Sequence, residues 1–392
     1  MDCEGPKTII NIMSCSLQVL LINLTILASF THTFSIKTIP KPRPFTKIYA
    51  FGDSFTDTGN TRSFTTSDAF QFASNPPYGT TFFHHPTDRY CDGRLVIDFL
   101  AEKLSLPYLP PYLDKFADKS HGVNFAVAGA TAIDVEFFLR NDVPLLFTPK
   151  TLKNQLDWFV KFAEGQGCRN LSTTLQQCKA VFDEALIWIG EIGVNDYAYT
   201  LTTTVSNDII RDLSITSITD FLQALLNMGA KYVIAQGMPP VGCLAFSMEM
   251  YKTTDRDEIG CVRSVNDLSN IHNTIFQQNL RGLRKQFPGT VIAYADYNNA
   301  YRYVLKNGGH YGIKQLFKAC CGAGPGEYNF NILAPCGSFF SDSCTDPSGY
   351  INWDGFHLTE AMYNAVSEEF FTKTALFPSF RHLLEHKRKS VN

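Results

Sequence analysis

The chain has 392 residues, of which 45% are hydrophobic, 13% aromatic and 18% charged. This composition provides a substantial core and excludes a disordered or coiled-coil protein, and the length suits one large α/β domain with long loops. The formal net charge is −3, and we interpret the basic residues at 381–389 as a solvated tail, so no nucleic-acid partner is expected.

Residues 1–35 are predicted to be a secretory signal peptide. Lys7 precedes a mostly apolar stretch over 9–30, and small and polar residues suited to cleavage follow at 29–35. An uncleaved membrane anchor is the alternative, because the stretch is nearly long enough to span a bilayer, but several polar residues interrupt it. The remaining residues, 36–392, are expected to form a single domain without stable membrane insertion after cleavage.

Apolar runs of strand length alternate with helical patterns along the rest of the chain. The runs lie at 47–53, 185–193, 231–237 and 290–297, with helical spacing of apolar residues at 95–100, 215–226 and 268–287. Because a crossover helix is the usual link between parallel strands, this alternation predicts an α/β fold with a parallel sheet covered on both faces. Ser54, Asn195 and residues 237–243 each follow a strand and are expected to line one crevice.

Ser54, in the stretch FGDSFTDTGN, is the candidate nucleophile. A Gly-Asp-Ser triplet more often only closes a turn, and a serine hydroxyl attacks substrates only with a base, usually an imidazole oriented by a carboxylate. In NWDGFHLTE, Asp354 lies three residues before His357, so the intervening turn lets both side chains point the same way. The alternative for this stretch is that Asp354 caps a surface helix.

An acyl-transfer reaction also needs hydrogen-bond donors for the developing oxyanion. The backbone N–H of Ser54 is one candidate, Gly129 in GVNFAVAGATA can bring a second N–H close to the substrate, and Asn195 in GEIGVNDY offers a side-chain amide. Taken singly, Gly129 is more often a packing residue and Asn195 a turn residue. His84 and His85 lack a third ligand at a suitable spacing, so neither a metal nor another cofactor is expected.

Nine of the 11 cysteines remain after the predicted cleavage, and an oxidising compartment favours four disulfides and one free thiol. Spacing suggests the bridges Cys168–Cys178 and Cys243–Cys261, and Cys91 is expected to be unpaired. The pairing stays open among Cys320, Cys321, Cys336 and Cys344. A vicinal bridge is discounted because it would be strained. Zinc binding is the alternative, but paired CxxC arms are missing. Asn170, in an Asn-Leu-Ser sequon, is the predicted glycosylation site.

The stretches FGDSFTDTGN, GVNFAVAGATA, GEIGVNDY and WDGFHLTE stand in the order of the four sequence blocks of the plant GDSL esterase/lipase family, within the SGNH hydrolases. The chain resembles this family over about residues 47–371. The resemblance implies a three-layer α/β/α sandwich with a mostly parallel central sheet. It also implies Ser54 as nucleophile, His357 as base and Asp354 as its orienting group, with Gly129 and Asn195 joining the Ser54 amide in the oxyanion hole.

Two residues depart from the family pattern. Phe55 replaces the leucine of the family's eponymous tetrad and is expected to pack beneath the turn, which leaves the chemistry intact. Val194 stands where many relatives have glycine, and its branched side chain is expected to narrow the acyl site. Neither change removes a catalytic atom.

The leading hypothesis is a secreted, monomeric serine esterase of the extracellular space or cell wall, which hydrolyses carboxylic esters through an acyl-Ser54 intermediate. Its substrate is expected to be a lipid ester or an acylated small molecule or sugar, and the absence of a long apolar lid helix favours soluble esters. One alternative is an acyltransferase that passes the acyl group to an alcohol, because an acyl-enzyme does not specify its second nucleophile. A second alternative is a non-catalytic wall- or glycan-binding protein on the same scaffold.

Overall fold

The computed structural model describes residues 43–63, 72–145, 147–168, 178–251 and 254–390. In this part of the chain there are ten β-strands: β1 (Lys47–Phe51), β2 (Gly122–Asn124), β3 (Ala185–Ile189), β4 (Tyr232–Gln236), β5 (Val291–Ala295), β6 (Gln315–Ala319), β7 (Cys321–Gly322), β8 (Asp342–Ser343), β9 (Tyr350–Asn352) and β10 (Leu376–Phe377).

Six strands form the central sheet, in the order β10-β5-β4-β3-β1-β2. Strands β2, β1, β3, β4 and β5 are parallel to one another, and β10 is added antiparallel at the edge. The four middle strands are nearly continuous apolar runs because both faces of the sheet are covered.

The described residues also form eleven α-helices: α1 (Val96–Lys103), α2 (Val135–Arg140), α3 (Leu152–Gly165), α4 (Lys179–Phe182), α5 (Val194–Thr200), α6 (Asn207–Asn227), α7 (Ala245–Met250), α8 (Arg263–Gln286), α9 (Tyr297–Lys306), α10 (Glu360–Phe371) and α11 (Phe380–Lys389). Short 3₁₀ segments lie at Thr61–Ser63, Val241–Cys243, Gly308–Tyr311 and Pro347–Gly349.

Two hydrophobic clusters, one on each face of the sheet, define three layers. Alternate residues of the strands, such as Ile48 and Trp188, pack with helices α1, α9, α10 and α11. Their neighbours in sequence, such as Tyr49 and Ile187, point to the other face and pack with α3, α6 and α8. The predicted α/β/α architecture with a mostly parallel sheet is therefore confirmed.

The sequence prediction overestimated the length of the strands. The strand predicted over 185–193 ends at Ile189, and the one predicted over 47–53 ends at Phe51. The ladder between these two strands stops there, and the chain leaves the sheet at Gly52, which has a positive φ of 140°. The pattern of apolar residues continues past the last paired residue because the turns are also buried.

The cysteine-rich stretch forms a small additional layer beside the main sheet. Strands β6 and β9 pair in parallel, and β7 and β8 pair antiparallel. The structure forms the disulfides Cys320–Cys344 and Cys321–Cys336 here, one of the two non-vicinal pairings open from the sequence. It also has the disulfides Cys168–Cys178 and Cys243–Cys261, as their spacing suggested, and leaves Cys91 as a buried free thiol.

Two predictions concern residues that lie outside the described part of the chain. These are the signal peptide at 1–35 and the glycosylation site at Asn170. Among the described residues, no helix is long and apolar enough to cross a membrane.

Candidate active site

Ser54 lies in a tight turn at the carboxyl end of β1. The turn is fixed by hydrogen bonds from the N–H groups of Thr56 and Asp57 to the carbonyl of Asp53, at 3.0 and 2.9 Å. Just before it, Gln155 on α3 clamps Gly52 by bonding to both its N–H and its carbonyl, at 3.0 and 2.8 Å. Only glycine fits at position 52, because φ is positive and a Cβ atom would lie 2.9 Å from a backbone oxygen.

The structure brings Ser54, His357 and Asp354 into one chain of hydrogen bonds. Ser54 Oγ is 2.7 Å from Nε2 of His357, and Nδ1 of the same ring is 2.8 Å from Oδ2 of Asp354. All three residues are at most 5% exposed. This is the arrangement in which a carboxylate orients an imidazole that can accept a serine proton.

Asp354 does not cap a helix, so the alternative interpretation of this stretch is wrong. Helix α10 begins at Glu360, and Thr359 is its N-cap. Asp354 instead closes its own loop, because Oδ1 accepts the N–H groups of Phe356 and His357, each at 2.7 Å. The loop follows β9 directly, which fixes its starting point.

Electrostatics keep Asp354 ionised despite its burial. Burial acts to raise the pKa of this carboxyl group, but the neighbouring His357 and the two backbone N–H donors outweigh it, so the pKa is lower than usual. A further donor, the hydroxyl of Tyr78, bonds to Oδ2 at 2.8 Å. An ionised carboxylate at this position is able to stabilise an imidazolium in the reaction.

Aromatic rings fix the position of the His357 imidazole. The rings of Tyr90 and Phe55 have centroids 5.0 and 5.6 Å from that of His357. Phe55 is 5% exposed and also contacts Tyr297 and Tyr363 edge-on, so it packs beneath the turn as expected for this departure from the family pattern. The imidazole is thereby held in one orientation by packing as well as by hydrogen bonds.

The segment before α1 connects the His357 loop to the rest of the fold. Glu360, at the start of α10, accepts the N–H of Arg94 at 2.7 Å and pairs with its guanidinium at 2.8 Å. In return, Asp92 accepts the N–H of Glu360 at 2.8 Å. A Cβ atom at Gly93 would collide with the Glu360 carboxylate, at 2.0 Å, so the segment packs without any space between it and the helix.

Two backbone N–H groups of the predicted oxyanion hole have no acceptor among the described residues. They belong to Ser54 and Gly129, and the N–H groups on both sides of each are bonded. Asp53 N–H and Phe55 N–H donate at 3.1 and 3.0 Å, and Ala128 N–H and Ala130 N–H both donate at 3.0 Å. Uncommitted N–H groups beside a candidate nucleophile are what an oxyanion hole requires.

Gly129 adopts a conformation that other residues rarely take. Its φ is 77°, and a Cβ atom would lie 2.8 Å from Cβ of Phe147. The Tyr199 hydroxyl donates to its carbonyl oxygen at 3.0 Å, which fixes the peptide plane that follows it. The conformation of this turn therefore requires glycine at position 129.

Asn195 reaches the site, but its amide is already bonded. Nδ2 donates to Oδ2 of Asp53 at 2.8 Å and to the carbonyl of Ala130 at 3.0 Å, which uses both of its hydrogens. An oxyanion would therefore have to take over one of these hydrogen bonds. Its neighbour Asp196 accepts the N–H groups of Ala132 and Ile133, at 2.9 and 2.8 Å, so the Asn-Asp pair also ties α5 to the Gly129 turn.

A buried acidic pair, which the sequence did not reveal, lies behind Asn195. The carboxyl groups of Asp53 and Glu191 are hydrogen-bonding neighbours, and burial is the main factor that raises the pKa of each. The charge of Asp53 raises the pKa of Glu191 further, so burial and this charge both favour the protonated form of Glu191. Oε2 of Glu191 has no hydrogen-bond partner among the described residues, which agrees with this direction.

Asp57 and Asn60, from the same motif as Ser54, connect the nucleophile turn to the Gly129 turn. Asp57 accepts the N–H of Ala128 at 3.0 Å, and the Asn60 amide donates to the carbonyls of Asn124 and Ala126 at 2.8 and 2.9 Å. Sequence reasoning did not assign these two roles. Their signal was the repetition of turn-forming polar residues in an otherwise buried stretch.

Two cavities meet at His357. A small one of about 50 Å³ includes Ser54, Val194 and Asn195, and a large one of about 350 Å³ includes Asp354 and the disulfide-bonded stretch that contains Cys336. Phe147, Phe356 and His357 line both. The two cavities therefore share the candidate base in their linings.

Comparison with known proteins identifies the family of the chain. The profile of the GDSL-like lipase/acylhydrolase family matches residues 48–370. A GDSL esterase/lipase of Arabidopsis thaliana is 49% identical, over 96% of this chain and 99% of the relative, and a second one is 38% identical, over 88% and 87%. Acetylajmalan esterase 2 of Rauvolfia serpentina is 39% identical, over 82% of this chain and 88% of the relative. The chain therefore belongs to the plant GDSL esterase/lipase family of carboxylic ester hydrolases.

Proposed function

We propose that the protein is a secreted serine esterase that works through a covalent acyl-Ser54 intermediate. The observation that carries this proposal is the continuous chain of hydrogen bonds from Ser54 through His357 to Asp354, at 2.7 and 2.8 Å. A serine without a base would be a poor nucleophile, and a base without a carboxylate would be poorly oriented.

In the first half of the reaction, Ser54 Oγ attacks the acyl carbon and Nε2 of His357 takes its proton. The negative charge on the former carbonyl oxygen is stabilised by the N–H groups of Ser54 and Gly129, joined by the Asn195 amide as it shifts from Ala130 toward the oxyanion. The bond to the alcohol oxygen then breaks, and that oxygen leaves with the proton from Nε2. The product of this half is an ester of Ser54.

In the second half, water attacks the acyl-Ser54 ester and gives a proton to Nε2 of His357. The bond between the acyl carbon and Oγ breaks, Oγ recovers the proton, and a carboxylic acid leaves. Throughout, Asp354 stays ionised and stabilises the imidazolium, in agreement with its lowered pKa.

Hydrolysis is favoured over acyl transfer because relatives over most of the chain are named as esterases. The two reactions are separated by offering one acyl donor with and without an alcohol acceptor and analysing the products by mass spectrometry. Free acid as the main product in the presence of the acceptor is expected. A new ester as the main product would make the protein a transferase.

Secretion is supported by the four disulfides and the predicted signal peptide. The proposal includes a monomeric protein in the extracellular space or cell wall. A fusion to a fluorescent protein is expected to leave the cell, and the N-terminus of the secreted chain is expected to lie after the apolar stretch. Retention of the fusion in the cytosol would contradict this part of the proposal.

The decisive experiment for the mechanism is labelling with a fluorophosphonate, which reacts with activated serines. The folded wild-type protein is expected to be labelled at Ser54 and to hydrolyse chromogenic esters. A folded protein that shows neither labelling nor turnover would favour a binding role on the same scaffold.

A further inference from the structure

We propose that the substrate is an ester of a short carboxylic acid with a bulky, largely apolar alcohol, and that Val194 limits the length of the acid. This inference rests on the proposed function, because it assigns the two cavities to the two halves of an ester that Ser54 cleaves. It is drawn from the size and position of the cavities and from the chemistry of the residues around them.

The position of His357 decides which half of the ester enters which cavity. In the acylation step the leaving alcohol oxygen takes its proton from Nε2, so the alcohol must lie on the His357 side. His357 lines both cavities, and the large one is also lined by Asp354 and Gly355 but does not include Ser54 or Asn195. The small cavity includes both Ser54 and Asn195, where the acyl carbon and its oxyanion must be. The acid therefore enters the small cavity and the alcohol enters the large one.

The small cavity has room for only a short acid. Its volume is about 50 Å³, compared with about 350 Å³ for the large cavity. Val194, at the start of α5, lines it, together with the buried Leu244 and with Phe147. Ala198 forms its exposed side, so a longer acyl chain leaves the cavity toward solvent and buries no further methylene groups. Acetic and propionic acid fit inside, and the chain of butyric acid extends beyond the cavity.

The large cavity suits a bulky apolar group. Its volume of about 350 Å³ is in the range of pockets that bind drug-sized molecules. Tyr90 and Phe330 form buried parts of its lining, and Ile332 and Leu333, which are 59% and 90% exposed, extend it toward solvent. Exposed apolar side chains at a cavity mouth are expected to contact an apolar ligand.

The test uses esters of 2-(1-naphthyl)ethanol with acetic, butyric and octanoic acid, and ethyl acetate as the ester of a small alcohol of similar reactivity. For the wild type we expect kcat/KM on the naphthylethyl acetate to be at least about 10-fold higher than on ethyl acetate. From butyrate to octanoate we expect no gain. A cavity that buried the additional chain would raise kcat/KM about fourfold for each methylene.

The variant Val194→Ala removes two methyl groups from the small cavity without introducing a flexible glycine. It is expected to raise the ratio of kcat/KM on butyrate to that on acetate by about 5- to 10-fold, since one or two more methylene groups become buried. The double variant Ile332→Ala/Leu333→Ala is expected to lower the preference for naphthylethyl over ethyl acetate and to leave the butyrate-to-acetate ratio unchanged. Ile271→Ala, at an exposed position on α8 that lines neither cavity, is the control.

The possible results separate this inference from the proposed function. Fluorophosphonate labelling of Ser54 together with highest kcat/KM on octanoate, or with an unchanged acyl preference in Val194→Ala, overturns the inference alone. Equal kcat/KM on naphthylethyl and ethyl acetate overturns the assignment of the large cavity. Absence of labelling and of turnover on every ester overturns the proposed function itself.

Discussion

The hydroxyl of Tyr78 donates a 2.8 Å hydrogen bond to Oδ2 of Asp354, the same oxygen that accepts from Nδ1 of His357. The two residues are 276 positions apart, and both are buried. Tyr78 therefore helps to fix the direction in which the carboxylate points. Burial first, and the adjacent Asp354 second, raise the pKa of Tyr78 far above its usual value, so it stays a donor at every working pH.

Removal of this donor should slow the reaction without weakening substrate binding. For Tyr78→Phe we expect kcat to fall about 10-fold with KM changed less than about threefold, because one hydrogen bond to a charged group is lost while the ring remains. Steady-state kinetics on a chromogenic acetate ester measure both values. A raised KM with unchanged kcat would instead assign Tyr78 to substrate binding through its place in the large cavity.

Ser54→Ala is expected to abolish turnover and leave the fold intact, since it removes the nucleophile and adds no strain. The rate should fall to less than about a hundredth of the wild-type rate, with residual catalysis from the oxyanion hole alone orders of magnitude lower still. Thermal unfolding verifies the fold, and Ser120→Ala, at an exposed loop position, serves as the matched control. A rate above that limit in the folded variant would remove Ser54 from the mechanism.

Asp354→Asn should lower kcat severely, by about 1,000- to 10,000-fold, because an amide can keep the geometry but cannot stabilise the imidazolium. The variant also changes stability with pH in a defined direction. The pKa of Asp354 is lower in the folded state than in the unfolded chain. Its contribution to stability is therefore fully present at pH values above the pKa in the unfolded chain, and it is lost as the pH falls through the pKa in the folded state. Chemical unfolding at several acidic pH values should show a smaller pH dependence for the variant than for the wild type.

The rate of the wild-type enzyme should fall as the pH is lowered, because a protonated His357 cannot accept the proton of Ser54. The profile of kcat/KM against pH reports this directly on the free enzyme. A kcat/KM that does not fall as the pH is lowered would contradict a histidine base.

Glu191→Gln tests the acidic pair behind Asn195. The titratable groups that face Glu191 are the carboxyl groups of Asp53 and Asp196 and the phenol of Tyr297, all of them buried. The pKa of Glu191 is higher in the folded state than in the unfolded chain. Its contribution to stability is therefore fully present below the pKa in the unfolded chain, about 4, and it is lost as the pH rises through the pKa in the folded state. In the variant this loss of stability on going from about pH 4 to pH 7 should be smaller.

The same variant should also affect the reaction. Glutamine can donate a hydrogen bond to Asp53 but has no carboxyl proton. The substitution therefore changes the charge distribution on the Asp53 carboxylate, which accepts a hydrogen bond from the Asn195 amide. We expect kcat to fall about 10-fold with little change in KM, as for loss of an interaction made in the transition state. An unchanged kcat together with a changed pH dependence of stability would make the pair purely structural.

The bridge Cys321–Cys336 should affect activity as well as stability, because both residues line the large cavity. The double variant Cys321→Ala/Cys336→Ala is expected to lose about 3 kcal/mol of unfolding free energy, from the entropy that the unfolded chain regains. The bridge Cys243–Cys261 closes a loop of similar length outside that cavity. The double variant Cys243→Ala/Cys261→Ala should therefore lose a similar unfolding free energy with a smaller effect on kcat/KM. Equal effects of both double variants on kcat/KM would contradict a role of the first bridge at the site.

The parts of the fold that were predicted correctly are those with strong local patterns. Strand β3 is buried on both faces and is therefore a continuous run of apolar residues, whereas α8 is buried on one face and has apolar residues at helical spacing. Both patterns can be recognised in the sequence. Strand β10 was not visible, since it has two residues and forms only by pairing with Tyr294 and Ala295 far away in sequence. Pairing of this kind depends on tertiary contacts, which no local pattern encodes.

The residues of the candidate site also fall into those with a local sequence signal and those whose role depends on a distant partner. Each motif contained its own candidate residue, so Ser54, Asn195 and His357 could be predicted from the sequence, and the structure brings them together. Tyr78 has no signal in its stretch, because its partner is a carboxylate that is distant in sequence. Glu191 is a single acidic residue in an apolar run, but the sequence does not show that its hydrogen-bonding neighbour is Asp53, which lies at the end of another strand.

Ser54 and His357 are 303 positions apart, and the bond between them joins the first strand of the sheet to a loop near the end of the chain. A partly synthesised chain that lacks the final portion thus contains Ser54 but not its proposed base. Reactivity toward a fluorophosphonate then appears only once the last helices have docked against the sheet. Labelling during refolding would follow the completion of the native structure, whereas circular dichroism would detect the earlier formation of helices.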